Sequence, residues 1–271
     1  MIGPRFEHRA SETIDIVSFP SRVFVSMHNV FQFLTQCNEA KTEERFLSAF
    51  HDLTCRLGFD FYRVIRRDAE DLTFTGTVLA EHLPDGWKEV YHAKKYGNSD
   101  PVKRTLGLLH QPFRCRDVVA MLPQATQRKR AAKLFQDAAR YGLREGYAFP
   151  IHGRSGLLGG VYIFGDGRML STSDLFIIDT AMRVAFWRLL EFTGQSEAVL
   201  SIPDMSSTQF TKRELDVLTL LAQGKTSPEI GKSLSISSHT VDWYINGIQR
   251  KLDARNRQHV VALALRHGII C

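Results

Sequence analysis

The stretch FTKRELDVLTLLAQGKTSPEIGKSLSISSHTVDWYINGIQRKLDARNRQHVVALALRHGII, residues 210–270, decides the architecture of the last quarter of the chain. Thr211-Lys-Arg-Glu214 reads as a capping box, in which the threonine oxygen accepts from the Glu214 amide and the glutamate reaches back to the Thr211 amide. Phe210 and Leu215 stand where a hydrophobic staple would close around it. Gly224 is placed to end this helix in a left-handed conformation. Ser227 followed by Pro228 reads as a cap and then a proline at the first helical position, opening a short helix that stops near Leu234. Ser237 or Ser238 caps a third helix whose inner stripe is Val241, Ile245, Ile248 and Leu252. Asn256 caps a fourth, with Val260, Leu263 and Ala264 inside and Gly268 beyond its end. The region is all helix.

Its charge sets it apart. From Gln209 onward there are nine Lys and Arg against five Asp and Glu, an excess of +4, whereas the first 208 residues carry +2. A short helix, a tight turn and a longer helix in a basic domain has the form of a helix-turn-helix. The third helix then turns Ser238, His239, Asp242, Trp243, Asn246 and Arg250 outward, where mixed polar side chains can meet base edges. Lys225, Lys232, Lys251 and Arg250 are candidates for phosphate contacts. On pattern alone, a small helical bundle with a solvated charged face fits as well.

Residues 210–270 resemble the DNA-binding domain of the LuxR family of transcription regulators. The matching residues are Thr211-Lys-Arg-Glu214, Leu218, Gly224-Lys225-Thr226, Glu229-Ile230, Thr240-Val241, Lys251-Leu252 and Asn256-Arg257. The resemblance implies a DNA-reading role for the outer face of the third helix, with Thr240 included. Members often carry Lys or Arg directly after the Thr-Val pair, where this chain has Asp242. A carboxylate there would repel phosphate and suit a cytosine amino group.

Upstream, Gly194–Gln209 is small, polar and proline-containing, which reads as a linker. The expected division is therefore 1–194, a linker at 195–209, and 210–271. In the first region Thr42 caps a helix bearing Phe46, Phe50, Leu53 and Leu57, and Gly58 ends it. Strands are expected near Phe59–Ile65 and Leu72–Leu79, then helices at Gly86–Lys94, Pro101–Leu109 and Gln127–Tyr141. Two more strands, Tyr147–His152 and Leu157–Phe164, are joined by a turn at Gly153–Gly156. Ser173 opens a long helix to about Phe192. Helices on both sides of a strand meander predict an α+β fold, an N-terminal α-β-α sandwich with an antiparallel sheet, beside the all-α four-helix C-terminal domain.

Trp87 and Tyr91 share a helix face at i and i+4, and Asp100-Pro101 follows. An indole N–H, a phenol and a carboxylate suit a ligand with both carbonyl and amide groups. The same spacing also describes an ordinary core pair and an Asp-Pro turn. Trp87, Tyr91, Asp100-Pro101 and Gly146-Tyr-Ala-Phe-Pro-Ile151 recur in this order in the acyl-homoserine-lactone-binding domain of LuxR-type quorum-sensing receptors, and Leu83–Phe164 resembles that domain. The resemblance implies that Trp87 donates to a lactone carbonyl, Tyr91 to the acyl carbonyl, and that Asp100 accepts from the ligand amide. Gly146 is assigned to backbone geometry and packing. Three positions depart from the family: Leu83 is often Tyr, Cys115 often Trp, and Tyr162 often Ser or Thr. These three, with the polar trio, make up the expected pocket, and its acyl end is unusual.

The rest of the composition narrows the classes. The 271 residues are 44% hydrophobic and 24% charged, which excludes a largely disordered chain. No run approaches the roughly 20 apolar residues of a membrane span, no secretory leader is visible, and a cytoplasmic location is expected. The four cysteines lack CxxC spacing and the ten histidines form no HExxH pair, so neither a metal site nor a cofactor is expected. No GxSxG, P-loop or GxGxxG is present, which argues against an enzyme. The expectation is a homodimeric regulator that binds an N-acyl-homoserine lactone and a pseudo-palindromic site on double-stranded DNA. A regulator of the same type that needs no ligand, or answers to a non-lactone molecule, is the alternative.

Overall fold

A computed structural model describes residues 21–68, 76–153, 156–167, 169–196 and 210–270, with side chains from Met27 onward. The linker expected at 195–209 lies outside the described residues from 197 on, as do 72–75 of the second expected strand and Arg154 and Ser155 of the hairpin turn.

The first unit begins with α1 (Ser21–Glu39), a helix not expected from the sequence, and α2 (Glu43–Arg56). Thr42 caps α2 by accepting from the Arg45 amide, and Gly58 follows its end at φ +87°. Strands β1 (Phe61–Arg66) and β2 (Thr77–His82) lead to α3 (Trp87–Ala93), α4 (Pro101–Leu106), β3 (Phe113–Arg114), α5 (Val118–Met121) and α6 (Ala125–Ala139). The unit closes with β4 (Glu145–Gly153), β5 (Gly156–Gly165) and α7 (Thr172–Phe192). All pairings are antiparallel, in the order β2-β1-β5-β4-β3.

Both faces of this sheet are covered. Tyr62, Val64, Tyr147, Phe149, Val161 and Ile163 point into a core shared with α1, α2 and α7. Alternate residues of the same strands, Ile65, Ala148 and Tyr162, point the other way, toward α4 and α5. This is the expected α+β sandwich. Gly159 permits it: a Cβ there would lie 2.2 Å from the Ile65 carbonyl oxygen and 2.6 Å from the Phe186 ring.

The second unit contains α8 (Lys212–Ala222), α9 (Ser227–Leu234), α10 (Ser238–Lys251) and α11 (Arg257–Arg266) around Val217, Leu218, Ile230, Val241, Ile248 and Val260. The Thr211–Glu214 capping box forms in full, with the Thr211 amide 2.8 Å from Glu214 Oε2. Two caps differ from the sequence reading for one reason. Thr226, not Ser227, caps α9 and pairs with Glu229; Ser171, not Ser173, caps α7 and pairs with Asp174. In both places the residue with an acid three positions on wins, because it forms the reciprocal box. Ser237 is the cap of α10, and Asn256 that of α11. The second strand runs from Thr77 to His82, later than expected.

Candidate ligand pocket and DNA-reading helix

A cavity with an empty volume of about 740 Å³, counted out to its mouth, lies on the side of the sheet away from α1 and α7. All six residues expected there from sequence line it: Leu83, Trp87, Tyr91, Asp100, Cys115 and Tyr162. Gly86, at φ +77°, starts α3, which carries Trp87 and Tyr91 on one face with ring centroids 5.9 Å apart. Asp100 caps α4 through Oδ1, which accepts from the Val102 amide at 2.9 Å, with Pro101 in the first turn. Its other oxygen accepts from the Tyr91 hydroxyl at 2.7 Å. Gly146 contributes by its size: a Cβ there would lie 2.6 Å from the Phe164 ring.

Burial, reinforced by the Asp100 carboxylate, pushes the Tyr91 phenol far above its ordinary range, so it stays a protonated donor. Burial does the same to Tyr162, with Asp100 and Cys115 adding to it, and holds the Cys115 thiol neutral. Among the described residues nothing bonds the Trp87 indole N–H or the Tyr162 hydroxyl. The pocket therefore offers two unclaimed donors and a carboxylate with spare acceptor capacity.

The wall opposite the sheet is held by a buried carboxylate. Asp137 of α6 accepts from Lys94 Nζ at 2.5 Å and Tyr96 Oη at 2.6 Å, which ties the α3 segment to α6. Those bonds, from Lys94 and then Tyr96, hold the Asp137 carboxyl down at about 2. The sequence reading missed this brace, and it missed Arg63, Lys103, Arg116 and Glu145 on the lining. Arg63 carries no motif; it reaches the site only because β1 pairs with β5, opposite Tyr162.

On the second unit, His239, Asp242, Trp243, Asn246 and Arg250 form one exposed stripe along α10, and Lys232 of α9 is exposed as well. Ser238, Thr240 and Lys225 are half-buried. Thr240 joins the Ser237 cap, its hydroxyl 2.8 Å from Ser237 Oγ. Asp242 projects from the stripe, but one of its oxygens accepts from the Ser227 hydroxyl at 2.5 Å, which links α10 to the start of α9. Trp243 is 65% exposed, a large apolar side chain held in solvent. Lys251, assigned to phosphate from sequence, instead donates to Glu214 at 2.7 Å and lies over the Phe210 ring. Gly231 lets the turn between α9 and α10 close, since a Cβ there would lie 2.7 Å from the Ile236 carbonyl.

Among the described residues no group of three or more His, Cys, Asp or Glu is placed to hold a metal, and no helix is long and apolar enough to cross a membrane. Residues 42–189 match the autoinducer binding domain, and residues 208–264 match the bacterial regulatory proteins of the luxR family. The transcriptional activator protein BjaR1 of Bradyrhizobium diazoefficiens is 32% identical over 220 residues, covering 79% of this chain and 85% of that protein. The quorum sensing-dependent regulator RpaR of Rhodopseudomonas palustris is 30% identical over 226 residues, with 83% and 88% covered. The crystal structure of Escherichia coli SdiA has the same fold, with a TM-score of 0.50 at 24% identity over 89% of this chain and 98% of that one. Such proteins regulate transcription rather than catalyse, and they take a signal ligand rather than a cofactor. The chain belongs to the LuxR family, as a ligand-responsive transcription regulator of the quorum-sensing type.

Proposed function

We propose that residues 1–194 bind an N-acyl-homoserine lactone, that 195–209 are the linker, and that 210–271 bind double-stranded DNA as half of a homodimer. The observation that carries the reading is the convergence of Trp87, Tyr91, Asp100 and Tyr162 on one largely apolar cavity. A neutral amphiphile suits such a site, since its few polar atoms take the oriented groups and its tail takes the walls. The Trp87 N–H donates to the lactone carbonyl. Asp100 accepts the ligand amide N–H while keeping its bond to Val102. The Tyr91 hydroxyl faces the acyl carbonyl, and Leu83, Cys115 and Tyr162 shape the space around the acyl chain.

Ligand that binds only the folded sensor stabilises it by mass action. Two chains then present α10 to half-sites about one DNA turn, roughly 34 Å, apart on a pseudo-palindromic operator. Ser238, His239, Asn246 and Trp243 face the base edges, with Asp242 and Thr240 setting the start of α10. Arg250, Lys225 and Lys232 face phosphates.

A thermal-shift panel of acyl-homoserine lactones tests the sensor. Melting temperature rises with lactone in the native chain, and Trp87→Ala and Asp100→Asn lose at least about tenfold in affinity. Asn at position 100 still caps α4 but offers its second acceptor as an N–H₂, so the cap and the ligand contact are separated. Unchanged lactone affinity in both variants would refute the site. For DNA, Asn246→Ala relaxes base preference, whereas Lys232→Ala weakens all sequences alike and lowers the salt slope by about 1.

A further inference from the structure

The sheet face that floors the pocket holds a cation that the contacts proposed above leave unused. Arg63 of β1 stands in register between Glu81 of β2 and Tyr162 of β5 and lines the same cavity as Trp87 and Asp100. Its Nε lies 3.4 Å from Glu81 Oε2, yet the two atoms are shut off from solvent and form no hydrogen bond. Glu81 also contacts Lys88 through its other oxygen, so one carboxylate serves two cations and the trio is net positive.

The other cations on the lining are engaged. Arg116 donates to the Arg144 carbonyl at 2.7 Å, Arg144 contacts Asp166 at 3.1 Å, and Lys103 lies over the Tyr91 ring. Arg63 makes no hydrogen bond to any described residue, and neither does the Tyr162 hydroxyl across from it. A guanidinium has five N–H donors and no acceptor, so this pair asks for oxygen. Around it the cavity is lined by Ile65, Val102, Phe135 and Phe164. A plain hydrocarbon tail would strip water from these donors and replace it with nothing, a penalty that one acceptor on the tail removes.

We infer that Arg63, together with Tyr162, selects the tail of the signal, and that the preferred ligand is an acyl-homoserine lactone whose acyl chain bears an oxygen acceptor beyond the amide carbonyl. A carboxylate matches the excess positive charge best; a keto or hydroxyl oxygen meets the same donors. The inference rests on the lactone reading of this pocket, because that reading fixes which end of the ligand reaches the sheet.

The test measures binding of three probes to the full-length protein by calorimetry: hexanoyl-, 3-oxohexanoyl- and 5-carboxypentanoyl-homoserine lactone. At least one oxygenated probe binds about tenfold or more tighter than the hexanoyl compound, as expected for a site built around unpaired donors. In Arg63→Leu that preference falls to within about twofold, while hexanoyl binding is retained or improved. Tyr162→Phe reduces the preference partly, and serves as the second variant if Arg63→Leu does not fold. Equal or tighter binding of the hexanoyl compound by the native chain overturns the inference and leaves the lactone reading standing. So does an oxygen preference that survives both substitutions. Failure of all three probes, and of longer lactones, to bind overturns the lactone reading itself and the inference with it.

Discussion

The two units keep their functional groups in opposite states. In the sensor, Trp87 is 7% exposed and Tyr162 6%, and the polar atoms of the site are enclosed by the fold that presents them. In the DNA-reading unit, His239, Trp243, Asn246 and Arg250 stand in solvent on a rigid helix, and the bonding is spent behind them on caps and on the Lys251–Glu214 tie. A pocket that closes over its ligand must make its specificity from groups that are costly to bury, whereas a surface that meets DNA needs only orientation. The difference teaches where each unit is vulnerable: the sensor through packing, the reader through the geometry of its helix starts.

The largest effect follows from packing. Gly159→Ala puts a methyl 2.2 Å from a backbone oxygen of the central strand pair, where nothing flexible can yield. Overpacking of this kind costs about 1–3 kcal/mol or more. Hydrogen exchange should show lost protection over residues 43–192 and unchanged protection over 212–266. Gly231→Ala, with its nearest backbone oxygen at 2.7 Å, should give the reverse pattern with a smaller loss. Simultaneous loss of protection in both units from either variant would mean that they do not respond separately.

The legibility of the sequence divides along the same line. The reader was nearly transparent, because its helices are short and punctuated by side chains that act within three residues: Thr211 with Glu214, Ser237 with the Thr240 amide, Asn256 with the His259 amide. The misplacement of two caps, one by a single position and the other by two, came from preferring the serine beside a proline or nearest the apolar run over the residue with an acid at the right distance. The sensor was readable as layers, but not in its strand detail. Eight of the nine β4 residues from Glu145 on are buried or half-buried without alternation, because both sheet faces are covered and the two-residue period vanishes. The two-residue β3 is too short to leave a pattern. Arg63 and Asp137 were illegible for a third reason: their partners lie 18 to 43 residues away, and only strand pairing and helix packing bring them together.

The next effect concerns the sign of Asp242. On sequence grounds this carboxylate repels phosphate, so neutralising it would tighten DNA binding. In the structure it accepts from Ser227 and braces the two helices of the reading motif. Removing the brace costs about 0.5–1.5 kcal/mol, as for a typical hydrogen bond, and lets the start of α10 drift. Asp242→Ala and Ser227→Ala should therefore weaken operator binding by similar amounts, and the double variant by little more than either. Tighter binding by Asp242→Ala, with Ser227→Ala neutral, would restore the repulsion account.

The smallest effect is a difference in acid sensitivity. In the reader, burial pushes the Glu214 carboxyl up, but Lys251 and the Thr211 amide and hydroxyl together pull it below its ordinary 4.5; Glu229 is lowered by the Thr226 amide and hydroxyl. A depressed folded value means that the contribution is complete above the unfolded value and drains away as pH falls through the folded one. In the sensor, Asp137 begins from 3.8 and is held at about 2, so its contribution starts to erode at lower pH. On acidification from pH 6, the reader's helix starts should lose exchange protection before the α3–α6 junction does, beginning below about 4.5 as the two glutamates start to protonate. Glu214→Gln should flatten the reader's response without moving the sensor's, because only the lysine tie and the capping box titrate through that carboxyl. If the sensor softened first, the buried Asp137 brace would not be the bond that holds the pocket wall.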